Sequence, residues 1–120
     1  MYYQNLEVWK ESIELVKAIY LLTHNFPEDE KFGLTSQIRR AVISIPSNIA
    51  EGSARYSNKD TARFVDIAIG SLAEVETQLI IAKELGYTVN ISKETEQAGK
   101  VSALLNGYRK YLNNDTNLST

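Results

Sequence analysis

The sequence predicts an all-α protein that folds as an up-down-up-down antiparallel four-helix bundle. Apolar residues recur at helical spacing through almost the whole chain, without strand alternation or an internal repeat. Only two prolines and six glycines punctuate its 120 residues. Because the predicted helices are long and their connections short, consecutive helices should be antiparallel neighbours. The length fits one domain, which we place at residues 1–113, followed by a flexible tail at 114–120.

Helix 1 is predicted over about residues 6–25, with Asn5 as its N-cap. The pair Phe26-Pro27 ends it, because the residue before a proline disfavours helical geometry. Its predicted core face consists of apolar residues three or four positions apart, namely Trp9, Ile13, Val16 and Tyr20, with Ile19 beside them.

Helix 2 is predicted to begin directly after Pro27, with the acidic residues 28–30 in its first turn. Pro46 lies inside its apolar pattern and removes one backbone donor. The apolar stripe stays in phase across this proline, which favours a helix kinked near Pro46 over a full break. The stripe consists of Leu34, Ile38, Val42, Ile45 and Ile49.

Helices 3 and 4 are predicted from the same capping residues and apolar spacing. Helix 3 is predicted over about residues 58–85, with Ser57 as its N-cap and Gly86 just past its end. Helix 4 begins after Ser92, its predicted N-cap, and ends near Asn113. The predicted core faces are Phe64, Ala68, Leu72, Val75, Leu79 and Ala82 on helix 3, and Ala98, Val101, Leu105, Tyr108 and Leu112 on helix 4.

Helix 3 carries more apolar residues than one core face requires. Ile67, Ile81 and Leu85 lie on one shoulder of that face, and Ile69 and Ile80 lie on the other. Several exposed isoleucines on one helix indicate a subunit interface, so we expect self-association; a monomer is the alternative.

Small and polar residues form a stripe on each of the two middle helices. They are Gln37, Ala41, Ser44, Asn48 and Glu51 on helix 2, and Ser71, Glu74 and Gln78 on helix 3. Such stripes beside a core predict a hydrogen-bonded polar layer that sets the register between helices or subunits. Alternatively, Glu51 and Glu74 could approach each other and split their pKa values for acid–base chemistry.

Other chemistry has little support in the sequence. His24 is the one histidine and there is no cysteine, so the Glu-x-x-His pairs of di-iron bundles and a catalytic triad are both lacking. No glycine-rich phosphate loop occurs. We therefore expect no enzymatic activity, metal, cofactor or small-molecule substrate. Because no signal peptide or apolar run of ~20 residues is present, we expect a cytoplasmic protein that does not span a membrane.

A local excess of positive charge keeps a nucleic-acid role open. Residues 31–63 contain six basic side chains against two acidic ones, although the whole chain has a net charge of −2. Residues that could contact phosphate are Arg39, Arg40, Arg55, Lys59 and Arg63. The alternative is a solvated surface with ion pairs within the helices.

Several segments together resemble one protein family. They are Asn5-Leu6-Glu7-Val8-Trp9-Lys10, Phe26-Pro27, Gln37-Ile38-Arg39-Arg40-Ala41, Ser44-Ile45-Pro46-Ser47-Asn48-Ile49-Ala50-Glu51-Gly52, Ala68-Ile69-Gly70-Ser71-Leu72-Ala73-Glu74 and Leu85-Gly86-Tyr87. Over about residues 3–112 the chain resembles the proteins encoded in intervening sequences of bacterial 23S rRNA genes. The accessory variability determinant of diversity-generating retroelements is a relative of that family.

This resemblance implies a four-helix bundle that assembles as a barrel-shaped homopentamer. In the retroelement relatives the barrel binds a reverse transcriptase and RNA through a basic surface, whereas the intervening-sequence members have no established biochemical activity. By the same resemblance, Asn48, Glu51, Ser71 and Glu74 are architectural residues. The sequence therefore predicts a non-enzymatic homopentameric scaffold or adaptor, with an RNA- or DNA-binding accessory protein as the alternative.

Overall fold

A computed structural model describes the backbone of residues 2–118 and the side chains of residues 2–114. Four α-helices form the fold: α1 (Glu7–Thr23), α2 (Leu34–Ser53), α3 (Asn58–Glu84) and α4 (Ser92–Leu118). Short 3-10 turns precede α1 at Tyr3–Asn5 and α2 at Glu28–Glu30. No strand occurs in the described residues, so the predicted all-α four-helix fold is confirmed.

The helices pack as a closed square. α1 lies beside α2 and α4, and α3 lies beside α2 and α4, whereas the Cα atoms of the diagonal pairs α1–α3 and α2–α4 stay more than 8 Å apart within the described part of the chain. Gly52, near the end of α2, contacts Thr61, near the start of α3, and Ser44 contacts Ser71 farther from the α2–α3 turn. These contacts fit the predicted antiparallel hairpin.

The core lies between the four inner faces. The stripes predicted for α2, α3 and α4 are largely buried, and only Leu34, Phe64 and Tyr108 among them are half-buried. The fully buried large side chains include Ile38, Ile45, Ile49, Leu79 and Leu105.

The predicted core face of helix 1 is wrong. Trp9, Ile13 and Val16 are only half-buried, and Tyr20 is 36% exposed. The residues that enter the core are Val8, Ser12, Leu15, Ile19 and Thr23.

A pair of hydroxyl groups explains this error. Ser12 and Thr23 are buried because their hydroxyls donate to the carbonyl oxygens of Trp9 at 2.7 Å and Ile19 at 2.8 Å. Because both residues are polar, the spacing of apolar residues did not indicate this buried face. It is rotated by about 100° around the helix axis from the predicted face. α1 therefore carries two apolar strips, and one of them lies at the edge of the core and is only half-buried.

The predicted start of helix 2 is also wrong. Residues 28–30 form a separate 3-10 turn, and α2 begins at Leu34. The Glu30 carboxylate accepts a hydrogen bond from the Leu34 backbone N–H at 2.9 Å, so it caps the helix from outside. Downstream, α2 is continuous through Pro46, which excludes a full break; the kink stays a prediction.

The predicted caps of α3 are confirmed, whereas Asn5 does not cap α1, whose N-cap is Leu6, and both predicted ends of α4 are wrong. Ser57 accepts from the Asp60 N–H at 3.1 Å, and Gly86 has a φ of 78°, as expected at the caps of α3. At the start of α4, however, the Asn90 side chain accepts from the Ser92 N–H at 2.9 Å, so Ser92 is the first helical residue.

At its other end α4 continues to Leu118, beyond the predicted end at Asn113. Residues 119 and 120 and the side chains of 115–118 lie outside the described residues, and the flexible tail stays a prediction. No helix in the described part of the chain has the length and apolar content to cross a bilayer.

α2 and α3 approach each other closely at Gly52. A Cβ added there would lie 2.8 Å from the Phe64 Cβ and 3.2 Å from the Thr61 carbonyl oxygen. The Thr61 hydroxyl also donates to the Gly52 carbonyl at 2.8 Å. Glycine is therefore required at this position for packing.

We expect Gly52→Ala to lower the free energy of unfolding by about 1–3 kcal/mol, because the added methyl forces α2 and α3 apart. Gly107→Ala is the matched control, since nothing lies within 4 Å of its added Cβ. That control should be neutral or stabilise the protein by up to about 1 kcal/mol. Urea unfolding followed by circular dichroism measures both, and equal midpoints for the two variants would contradict the close approach.

Candidate functional site

The two polar stripes meet at three side chains. The hydroxyl oxygens of Ser44 and Ser71 are 2.8 Å apart. The Asn48 amide donates to the Ser44 carbonyl at 2.8 Å and to the Ser44 hydroxyl at 2.9 Å. Ser71 is buried, and Ser44 and Asn48 are half-buried. This polar seam therefore sets the register of α2 against α3 through hydrogen bonds.

The structure does not bring Glu51 and Glu74 together. Glu51 lies about one turn beyond Asn48 toward the α2–α3 turn, where it accepts from Arg55 at 3.1 Å. Glu74 lies about one turn from the seam in the opposite direction, in a cleft that Gln37 and Arg40 also line. The alternative in which Glu51 and Glu74 approach each other for acid–base chemistry is therefore wrong, because the two carboxylates lie apart.

An open groove follows the contact between α2 and α3. One part has a volume of about 550 Å³ and includes Phe32, Gln37, Arg40 and Glu74. The adjoining part has about 360 Å³, shares Gln37 and Glu74, and is completed by Leu34, Gly70, Ala73, Thr77, Gln78 and Ile81. We call these residues together the α2–α3 groove.

The α2–α3 groove contains two acceptors that lack donors. Gln78 is only 8% exposed, yet its side-chain carbonyl oxygen Oε1 has no hydrogen-bond partner among the described residues. The Glu74 carboxylate, which is exposed, has no partner in this part of the chain either. A buried acceptor without a donor costs free energy, so the Gln78 carbonyl is a local cost to the stability of the bundle, whereas water can solvate the exposed Glu74 carboxylate.

A second surface lies on the other side of α2. The outer strip of α1 borders a shallow depression of about 340 Å³ against α2. Its α1 members are Tyr3, Trp9, Ile13 and Val16, and its α2 members are Ile43, Pro46, Ser47 and Ala50. With Tyr20, which continues the strip along α1, we call these residues the α1–α2 face.

The candidate phosphate-contacting residues do not form one patch. Arg39 donates to the Thr23 hydroxyl at 2.9 Å, and its guanidinium carbon lies 4.5 Å from the centre of the Tyr20 ring. Arg55 pairs with Glu51 and also stacks on Phe64.

The other three candidates are exposed. Arg63 lies 3.8 Å from the Asp60 carboxylate. Arg40 and Lys59 have no partner among the described residues. Ion pairs thus offset much of the local positive charge near the α2–α3 turn.

The sequence did not predict a contact between the α1–α2 connection and the α3–α4 connection, which lie at the end of the bundle opposite the α2–α3 turn. The Tyr87 hydroxyl donates to Glu30 at 2.6 Å, and the Tyr87 ring lies 5.7 Å from the Phe26 ring. The Leu34 backbone N–H and, after it, the Tyr87 hydroxyl lower the pKa of Glu30. Hydrogen bonding to this carboxylate raises the pKa of Tyr87. In the sequence, the segments Phe26-Pro27 and Leu85-Gly86-Tyr87 were the signal that could have indicated this contact.

α1 and α4 are joined by a second missed contact. The Gln97 amide donates to both the carbonyl oxygen and the carboxylate of Glu11 at 2.9 Å. Lys100 lies 3.5 Å from the same carboxylate. The Gln97 hydrogen bond is the main cause that lowers the pKa of Glu11. Across the described residues, no group of three or more His, Cys, Asp or Glu side chains could hold a metal ion.

Comparison with known proteins identifies a family and a solved structure with a similar fold. A family model described as 23S rRNA-intervening sequence protein matches residues 4–107. A crystal structure from Bacteroides thetaiotaomicron, of a protein with unknown function from the S23 ribosomal protein family, is 25% identical with a TM-score of 0.62. The match covers 91% of this chain and 97% of that one. No curated protein matches the chain.

We expect Glu30→Gln to lower stability near neutral pH and to lose this effect in acid. Because the pKa of Glu30 is lowered on folding, its contribution is present above the ordinary value of 4.5 and disappears as pH falls through the native pKa. Urea unfolding of wild type and variant between pH 3 and pH 7 measures the difference. Glu28→Gln is the control, since Glu28 is exposed and has no partner among the described side chains. A pH-independent difference for Glu30→Gln would contradict this assignment.

Proposed function

This chain belongs to the 23S rRNA-intervening sequence protein family, and we propose that it acts in the cytoplasm as a non-enzymatic homopentameric scaffold or adaptor. The observation that carries the proposal is the α1–α2 face, an apolar surface that one bundle leaves uncovered. The number five comes from the family resemblance.

The α1–α2 face is more than a scatter of exposed apolar residues. Val8, Leu15 and Ile19 already fill the core side of α1, so Trp9 and Ile13 form a second strip that the same bundle covers only in part. Contiguous apolar surface of this kind is typical of protein interfaces. Covering it with another copy would remove apolar area from water at about 25 cal/mol per Å².

The polar seam supports a structural role over a catalytic one. Ser44, Asn48 and Ser71 satisfy one another, and the carboxylates of Glu51 and Glu74 lie apart. A site for acid–base chemistry would need neighbouring groups whose environments separate their pKa values. The similar protein from B. thetaiotaomicron is likewise described as having unknown function.

We expect light scattering to give a mass near five times the 13.5 kDa of the protomer. Ile43→Arg should reduce that mass toward one protomer, because it places a charge on the α1–α2 face, where Ile43 is 43% exposed. Val89→Arg is the control: Val89 is 91% exposed in the connection between α3 and α4 and does not belong to that face, so the mass of this variant should stay unchanged. A monomeric wild type over the micromolar range would contradict the proposal.

Nucleic-acid binding is the second candidate, and the start of α3 favours it. Lys59 is exposed and unpaired among the described residues, and Arg55 and Arg63 lie nearby in the sequence. Their pairing with Glu51 and Asp60 leaves a weak cluster in one copy. A ring would repeat this cluster in every subunit, and repeated weak phosphate contacts add through multivalency.

If RNA binds there, its affinity for the wild-type protein should fall steeply with salt concentration in a fluorescence titration. Lys59→Gln should reduce the slope of log K against log salt by about one, as expected for the loss of one phosphate contact. Lys93→Gln, an exposed lysine at the start of α4, should leave the slope unchanged. No binding at low salt would eliminate this candidate.

A further inference from the structure

We propose that a cleft between the end of α1 and the start of α2 binds a dianionic phosphate group, with Arg39 and Lys31 holding its charge. The cleft has a volume of about 240 Å³ and lies beside the α1–α2 connection. Its polar lining residues are Thr23, His24, Glu28, Lys31, Thr35 and Arg39. We call it the Arg39 cleft. The sequence did not predict this ligand, and the inference goes beyond the proposed scaffold.

Arg39 is a half-buried cation without a counter-ion. Its Nε donates to the Thr23 hydroxyl at 2.9 Å, and its guanidinium carbon lies 4.5 Å from the centre of the Tyr20 ring. Both partners are uncharged, and no carboxylate pairs with this guanidinium among the described residues. A positive charge that is partly removed from water is normally paired with a negative one. The bundle does not supply that negative charge, so the site suits an anion from solution.

The same contacts hold Arg39 ready for a ligand. The Thr23 hydroxyl donates to the Ile19 carbonyl at 2.8 Å, and Thr23 is only 2% exposed, so the group that accepts from Nε is itself fixed. The two terminal nitrogens of the guanidinium have no acceptor within the described part of the chain. They can donate to two oxygens of one phosphate. Because Arg39 is already oriented, binding loses little side-chain freedom.

Three further side chains bring donors to the cleft. Lys31 is exposed, and its ammonium nitrogen lies 5.7 Å from the centre of the Phe32 ring without a carboxylate partner among the described residues. The His24 imidazole and the Thr35 hydroxyl also lack partners in this part of the chain. A phosphate monoester offers three acceptor oxygens and carries close to two negative charges above neutral pH. Its charge and acceptors thus match the lining of the cleft.

Glu28 opposes an anion in the cleft. It is exposed, has no partner among the described residues, and is the acidic residue in the described lining. The adjoining acidic residues Asp29 and Glu30 do not line the cleft, and the Glu30 carboxylate accepts from the Leu34 N–H and the Tyr87 hydroxyl. Removal of the Glu28 charge should therefore strengthen phosphate binding.

The Arg39 cleft is separate from the surfaces discussed under the proposed function. It shares no residue with the α1–α2 face, although Tyr20 of that face supports Arg39. The basic residues near the start of α3 lie at the opposite end of the bundle. A volume of about 240 Å³ suits free phosphate or the monoester of a small molecule. Each phosphate of RNA, by contrast, is a diester with a single charge.

An NMR titration of the isotope-labelled wild-type protein tests the proposal with three probes: inorganic phosphate, methyl phosphate and dimethyl phosphate. The largest shifts should occur at the Arg39 Nε–H and at backbone amides of residues 23–39. Dimethyl phosphate should bind at least about fivefold more weakly than methyl phosphate, because it carries one charge in place of two. The tighter of inorganic phosphate and methyl phosphate identifies free phosphate or an ester as the ligand.

Two substitutions at exposed positions should change the affinity for methyl phosphate in opposite directions. Lys31→Gln should raise the dissociation constant about fivefold, and Glu28→Gln should lower it about threefold, as expected for exposed charges beside the ligand. Arg39→Lys keeps the charge but loses the paired terminal donors, so it should raise the constant about tenfold. Lys83→Gln is the control, since Lys83 is exposed at the same end of the bundle but does not line the cleft.

Opposite changes in Lys31→Gln and Glu28→Gln, with Lys83→Gln unchanged, would support the Arg39 cleft as a phosphate site. Equal affinity for methyl and dimethyl phosphate, or equal effects of Lys31→Gln and Lys83→Gln, would overturn it, because binding would then reflect general surface charge. Absence of binding by either dianion would also overturn it. Light scattering on the same samples measures the oligomeric state, so a monomeric wild type would contradict the proposed function and leave the cleft to be judged by the titrations.

Discussion

The close contact between α2 and α3 is the constraint on which the rest of the structure depends. Gly52 allows the two backbones to approach, and the Thr61 hydroxyl holds the approach by donating to the Gly52 carbonyl. Farther along, the Ser44–Ser71 contact requires small side chains at both positions. A polar hydrogen-bonded layer tolerates only one register, because a slip would leave its buried groups unpaired. This register places Gln37, Glu74 and Gln78 along one groove.

α2 is the element that both exposed surfaces share. Its flank toward α3 carries the polar seam and the groove, and its flank toward α1 carries Ile43 and Pro46 beside the outer strip of α1. The inward face of α2 is thus apolar and packs in the core, and its two flanks contact α1 and α3. Loss of packing in α2 would therefore alter the core and both surfaces together.

Periodicity was sufficient to predict the four helices and most of the core, because apolar spacing follows directly from helical geometry. It failed on α1, where Ser12 and Thr23 are buried with hydroxyls bonded to their own helix and two apolar strips compete. It also failed at the start of α2, where Glu30 caps the helix from outside. The seam residues could be selected by spacing, but the isolation of Glu51 from Glu74 depends on register. The unpaired carbonyl of Gln78 could not be predicted, since it reflects which donors are absent nearby.

The hydrogen bond between Tyr87 and Glu30 makes the two ends of the bundle unequal. It joins residues 57 positions apart, and it links the connection between α1 and α2 to the connection between α3 and α4. Separation of the helices at that end must break this bond and the Phe26–Tyr87 ring contact. At the other end, α4 is held across to α3 by the solvent-accessible pair of Arg109 and Asp66. Thermal fluctuations should therefore separate the end of α4 from α3 first, and backbone amides near Arg109 should exchange with solvent sooner than those beside Tyr87.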